Sequence, residues 1–93
     1  MIRSFKDRAI EQVFYGRMAR RLPSDIQRRA HRKLLLLDAA TTLTDLRSPP
    51  SNRLEKLKGD RDGQYSLRIN QQWRLCFVWT GEHAHDVEIV DYH

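Results

Sequence analysis

The chain has 93 residues, of which 40% are hydrophobic and 31% charged, and it carries a formal net charge of +5. That length supports one domain around one core, residues 1–93, and not two. No apolar run approaches the roughly 20 residues of a membrane span, and the first six residues lack the apolar stretch of a secretion signal, so a cytoplasmic chain without a membrane partner is expected. A single cysteine, Cys76, makes no internal disulfide and fits a reducing compartment.

The charge is uneven along the chain. Residues 1–33 hold ten Lys/Arg against three acids, whereas residues 34–93 hold seven against nine. A basic half of this kind suits a polyanionic partner, either nucleic acid or an acidic protein. The same residues also make ordinary solvated helix faces, because Arg and Lys are good helix formers.

In chain order, residues 1–5 suggest a short strand. Ile10, Val13 and Phe14, with Met18 extending the stripe, predict an amphipathic helix from about 7 to 20. Pro23 breaks the chain, and Ser24-Asp25-Ile26-Gln27 has the spacing of a capping box. A second helix then runs towards Ala40, with Ile26, Ala30, Leu34 and Leu37 inward and Arg28, Arg29, Arg32 and Lys33 outward. Residues 41–53 lose periodicity around Pro49 and Pro50. Tyr65, Leu67 and Ile69 alternate with polar residues, and Trp73, Leu75, Phe77 and Trp79 do the same after an Asn70-Gln71-Gln72 turn, which predicts a β-hairpin. Thr80 to His85 reads as a second polar turn and Val87 to Val90 as a final strand. Helices followed by an antiparallel meander make an α+β fold, with the helices on one face of the sheet.

Several groups have the chemistry to cut RNA without a metal. The reaction needs a base for the 2′-hydroxyl, a cation for the crowded phosphate and an acid for the leaving 5′-oxygen. Asp91-Tyr92-His93 offers a carboxylate, a phenol and an imidazole, although a polar tripeptide at this position also fits a frayed end. Strand neighbours point to opposite faces, so these three converge only if the chain bends out of the last strand. Arg68 and Arg74, on the polar sides of two hairpin strands, present guanidiniums either to one phosphate or to solvent. Lys58 opens a charged, glycine-bounded loop that runs to Gly63. His83 and His85, two ligands in a turn without a third, do not make a metal site, and no cofactor is expected. Cys76 reads as a small buried hydrophobe, and Trp73 and Trp79 as core residues.

Longer motifs carry more. Leu37-Asp38-Ala39-Ala40-Thr41, Leu46-Arg47-Ser48-Pro49-Pro50, Asn52-Arg53-Leu54-Glu55, Gly59-Asp60-Arg61, Gln72-Trp73-Arg74-Leu75-Cys76-Phe77 and the run from Val87 to His93 occur in that order. Together they resemble the HigB-type toxins of bacterial toxin–antitoxin modules in the RelE/ParE superfamily, especially the subgroup that includes GraT. The resemblance covers essentially the whole chain. It implies a RelE-like, microbial-RNase-type fold and an mRNA endonuclease acting in the ribosomal A site. It also implies a HigA-like helix-turn-helix antitoxin as partner. In that family a lysine before Gly-Asp-Arg and the terminal Asp-Tyr-His carry much of the catalysis, which puts Lys58, Asp91, Tyr92 and His93 in the site. A histidine found three residues before the lysine in some members is replaced here by Glu55. Glu55 then either serves as a base or leaves that role to Asp91 and His93. The expected set is therefore Lys58, Arg74, Asp91, Tyr92 and His93 for chemistry. Glu55, Arg68, Arg28, Arg29, Arg32 and Lys33 are expected to hold RNA, with a steep salt dependence. The same superfamily contains ParE-like inhibitors of DNA gyrase without a nuclease site, which is the alternative function.

Overall fold

The computed structural model describes residues 1–92. Two helices, α1 (Arg8–Phe14) and α2 (Ser24–Ala39), precede four strands, β1 (Glu55–Lys56), β2 (Gln64–Arg68), β3 (Trp73–Thr80) and β4 (His83–Asp91). The strands form one antiparallel sheet in chain order. This is the expected α+β arrangement, with both helices on one face of the sheet.

Register decides which side chains meet, because cross-strand partners share a face. Leu67, Leu75 and Ile89 are in register across three strands and are buried. With Phe77, Ala84 and Val87 they pack against Ile10 and Val13 of α1 and Ile26, Ala30, Leu34 and Leu37 of α2. Trp73 and Trp79 border this core, as their alternation predicts. The opposite face is polar: Glu55, Ser66, Cys76 and Glu88 form one cross-strand row, and Arg68, Arg74 and Val90 form the next.

Several boundaries differ from the sequence reading, each for a local reason. The first helix stops at Phe14 rather than near residue 20. Gly16 sits at φ 77°, its N–H donates to the Val13 carbonyl (3.0 Å), and the Arg17 N–H donates to the Gln12 carbonyl (2.8 Å). That pair of bonds is a Schellman motif, which closes a helix wherever glycine can take the left-handed conformation. Met18 consequently lies in a loop and is 68% exposed. The opening residues form no strand of their own. Ile2 and Phe5 instead make single parallel bridges to Ala84 and Val87 of β4.

The anticipated Ser24–Gln27 capping box is absent. Pro23 occupies the cap position of α2 with no side-chain cap, and Ser24 is already helical. Gln27 is buried, accepts from the Ala19 N–H (3.0 Å), and donates to the carbonyls of Ala19 (2.7 Å) and Leu22 (2.9 Å). It thus substitutes for a regular connection between the helices. Gln27→Ala is expected to cost about 2–3 kcal/mol, because it strands buried backbone groups. A urea melt checks this: the midpoint falls with little change in slope. A loss below about 0.5 kcal/mol would mean that the loop finds other partners.

The last strand is longer than Val87–Val90. Between the pairs Cys76–Glu88 and Val78–His85, two residues of β4 face the single residue Phe77, and Asp86 sits at φ 52°. This β-bulge shifts the alternation by one residue, so that Ala84 and Val87 both point into the core. His83, Ala84 and His85 therefore belong to β4, and the tight turn shrinks to Gly81 and Glu82. Three further elements escape the sequence pattern: the two-residue β1, and short 3₁₀ turns at Leu43–Arg47 and Pro50–Asn52. No helix among the described residues is long and apolar enough to cross a membrane.

Candidate functional site

Arg74 is the centre of the polar face. Its side chain is only 12% exposed. One terminal nitrogen donates to Glu55 Oε1 (3.2 Å) and the other to the Arg53 carbonyl (2.7 Å). Arg53 is in the left-handed region, at φ 44°, as the cap of the Pro50–Asn52 turn. The guanidinium carbon lies 5.8 Å from the centre of the Tyr92 ring. Within this nest the Arg74 Nε is buried and has no hydrogen-bond partner among the described residues. A guanidinium held by Glu55 and the Arg53 carbonyl keeps a fixed positive charge beside Tyr92, suited to attract an anionic oxygen.

Tyr92 reaches this face because β4 keeps its alternation. Glu88, Val90 and Tyr92 share one side, and the Tyr92 N–H continues the ladder by donating to the Gln72 carbonyl. The chain therefore does not bend out of the strand at this point. Asp91 is the last residue of β4, paired with Trp73, and its side chain leaves on the other side. There Gln72 Nε2 donates to Asp91 Oδ2 (3.2 Å). Gln72 thus holds both residues, through its carbonyl and its amide. His93 lies outside the described residues. Lys58 is exposed at the start of a 3₁₀ turn, Gly59–Arg61, next to β1.

Arg68 and Arg74 are direct cross-strand partners, as the hairpin spacing suggests. Their guanidiniums nonetheless engage different groups, since Arg68 Nε donates to the Asn70 carbonyl (3.2 Å) in the β2–β3 turn. Arg68 instead lines an open groove of about 910 Å³ between that turn and α2, together with Arg29, Arg32, Lys33, Leu36 and Gln72. Among the described residues no acidic side chain lines it. Lys33 donates to Asn52 Oδ1, while the buried Asn52 amide donates to the Leu46 and Ser48 carbonyls (both 3.1 Å). Burial, and then the neighbouring Arg29, pull the Lys33 ammonium below its ordinary pKa. Arg28 is exposed on α2 outside the groove lining.

Sequence reasoning missed the ion pair between Arg61 and Glu88, at 2.6 Å, and the Arg53 carbonyl. The Gly59-Asp60-Arg61 motif was visible, but its partner lies 27 residues away across three strands. Cys76 is fully buried on the polar face. Burial pushes its thiol up, Arg61 and Arg74 oppose that rise, and Glu88 adds to it, so the group remains a protonated packing element. No group of three or more metal-ligating side chains occurs among the described residues.

Comparisons with known proteins identify the family. The family of RelE-like toxins of type II toxin–antitoxin systems, HigB, matches residues 3–93. The chain is 46% identical over 81 residues to Toxin HigB-1 of Vibrio cholerae, covering 86% of this chain and 85% of that one. It is 30% identical over 93 residues to Endoribonuclease HigB of Proteus vulgaris, with both chains fully covered. Among solved structures, the YoeB–YefM complex from Staphylococcus aureus superposes with a TM-score of 0.61 at 22% identity, over 100% of this chain and 95% of the other, which shows a shared fold. The chain belongs to the HigB family of RelE-like toxins of type II toxin–antitoxin systems.

Proposed function

We propose that this toxin is a ribosome-dependent mRNA endoribonuclease that cleaves translated mRNA in the A site and thereby stops protein synthesis. The observation that carries the reading is the Arg74 guanidinium, fixed by Glu55 and the Arg53 carbonyl beside Tyr92 on the polar face. The endoribonuclease name of the Proteus vulgaris relative supports it. The ribose 2′-oxygen attacks the adjacent phosphorus, and the bond to the 5′-oxygen breaks. The products are a 2′,3′-cyclic phosphate and a 5′-hydroxyl. His93 and Glu55 transfer the two protons, Glu55 being the carboxylate beside Arg74 while the Asp91 side chain leaves on the other side of β4. Arg74 and Lys58 balance the charge gathering on the phosphate, and Tyr92 stacks on a base or ribose. Glu55, already paired with Arg74, stands where that phosphate arrives. The chemistry calls for no metal or cofactor.

The groove of Arg29, Arg32, Lys33 and Arg68 holds RNA backbone, and Arg28 adds to the surrounding positive field. A HigA-like helix-turn-helix antitoxin is the protein partner, the working compartment is the cytoplasm, and the motifs from Leu37 to His93 assign the chain to the GraT-like subgroup. His93→Ala is expected to abolish cleavage of translated mRNA while the protein still folds and binds its antitoxin. Primer-extension mapping of mRNA ends in expressing cells measures this. Cleavage by the variant at the wild-type rate would remove His93 from the mechanism. An intact mRNA pool with an early DNA-damage response in cells expressing the wild type would replace this reading with gyrase inhibition.

A further inference from the structure

We infer that Arg61 and Glu88 form a positioning pair that sets Lys58 against the strand bearing Tyr92; the inference rests on the mRNA-cleavage reading. The buried Leu57, whose N–H donates to the Gln64 carbonyl (2.9 Å), anchors the chain just before Lys58, but the turn after it is weakly held. β1 is two residues long, and the Gly59–Arg61 turn that follows buries no side chain. Its backbone is closed by the Arg61 N–H donating to the Lys58 carbonyl (3.3 Å) and the Asp62 N–H donating to the Gly59 carbonyl (3.0 Å). A single exposed 3₁₀ turn with two such bonds opens readily.

The Arg61 side chain supplies the missing restraint. Its guanidinium donates to Glu88 Oε1 at 2.6 Å and to Gln64 Oε1 at 3.2 Å, so one residue grips β2 and β4 together. The ion pair is half-shielded, with side chains 31% and 21% exposed. It spans a sheet in which β1 and β4 are separated by two strands, or about 14 Å at the usual spacing. The route crosses the row Glu55, Ser66, Cys76, Glu88, whose two middle members are small and fully buried. Small side chains there leave a path over the sheet for a long arginine, whose charge opposes the burial-driven rise of the Cys76 pKa. Glu88 stands on the same face of β4 as Tyr92, four residues before it. The pair therefore fixes the Lys58 turn relative to the strand that carries Tyr92.

A pair that merely held the fold together would lower activity by unfolding the protein, whatever residue 58 is. A positioning pair acts through Lys58. The test is single-turnover cleavage of a defined mRNA in a reconstituted translation system, with unfolding midpoints measured on the same proteins. Arg61→Ala and Glu88→Gln are each expected to slow cleavage about 100-fold with unchanged apparent ribosome affinity, the scale of a misplaced catalytic group. Arg61→Lys, which retains the charge, should recover part of that loss. Adding Arg61→Ala to Lys58→Ala should change the rate by no more than about twofold, since the lysine it positions is gone. Losses that simply multiply in the double variant would overturn the inference, as would a fully active Arg61→Ala protein. Wild-type cleavage by Lys58→Ala is a different failure, because it would remove Lys58 from the site and the proposed mechanism with it.

Discussion

Arg74→Ala is expected to slow single-turnover mRNA cleavage about 100- to 1,000-fold, the loss typical of removing one preorganised donor from a developing anion. The size follows from the nest. Arg74 is nearly buried, and its two terminal nitrogens are held by Glu55 and the Arg53 carbonyl, so the guanidinium is fixed before substrate arrives. Such a guanidinium needs little reorganisation when charge appears on the phosphate. Arg74→Lys should recover only a fraction, because an ammonium keeps the charge but loses the planar fork that spans Glu55, the Arg53 carbonyl and the substrate. Stability should change far less than rate. The lost contacts run to the exposed residues Glu55 and Arg53, so about 1 kcal/mol is expected, equivalent to about 4–8 °C in a domain of this size. A rate for Arg74→Ala within about tenfold of wild type, in a folded protein, would move the phosphate site elsewhere on the face.

Phe77→Ala should act in the opposite sense, through stability. Its ring is fully buried, stacks on Tyr65 at 6.3 Å between centroids and meets Trp79 edge-on at 6.4 Å. It also sits opposite the β4 bulge, where no second side chain of β3 fills the space. Truncation is expected to cost about 3–5 kcal/mol. That is a large part of the roughly 5–14 kcal/mol available to a chain of this length. Calorimetry should show a melting temperature lowered by about 15 °C or more, with cleavage at low temperature falling only as the folded fraction falls. A loss below about 1 kcal/mol would mean that the aromatic cluster closes over the gap.

Much of the architecture was legible because hydrophobic period is a local signal. The inward stripe of α2 and the alternation of β2 and β3 needed only residues close in sequence, and the pairing of Arg68 with Arg74 followed from the short turn between them. Misreadings arose where one residue changed the local rule. Gly16 ends α1 inside a pattern that would otherwise continue. Asp86 shifts the phase of β4 and disguises His83 to His85 as a turn. Gln27 was assigned to a cap by its spacing from Ser24, yet it is pulled inward by the loop at Ala19. The site was legible as an inventory rather than as geometry. Lys58, Arg74 and Tyr92 stood out by chemistry and resemblance. The contacts of Arg74 with Glu55 and Arg53, and of Arg61 with Glu88, depend on strand order, which no window of neighbouring residues contains.

The bridges from Ile2 and Phe5 to β4 have a kinetic consequence. The Arg3 N–H donates to the Ala84 carbonyl and the Val87 N–H donates to the Ser4 carbonyl, so the backbone of the first residues pairs with the last strand. The Ile2 N–H also donates to Asp38 Oδ1 (2.8 Å), which ties the same segment to α2. Contacts that span almost the entire chain close the largest loop available and form late. During synthesis α2 and the β2–β3 hairpin can form first, while the outer edge of β4 and its N-terminal cover wait for residues 83–91. Tyr92 lies directly beyond that strand. The polar face is therefore assembled in the same late step that completes the sheet.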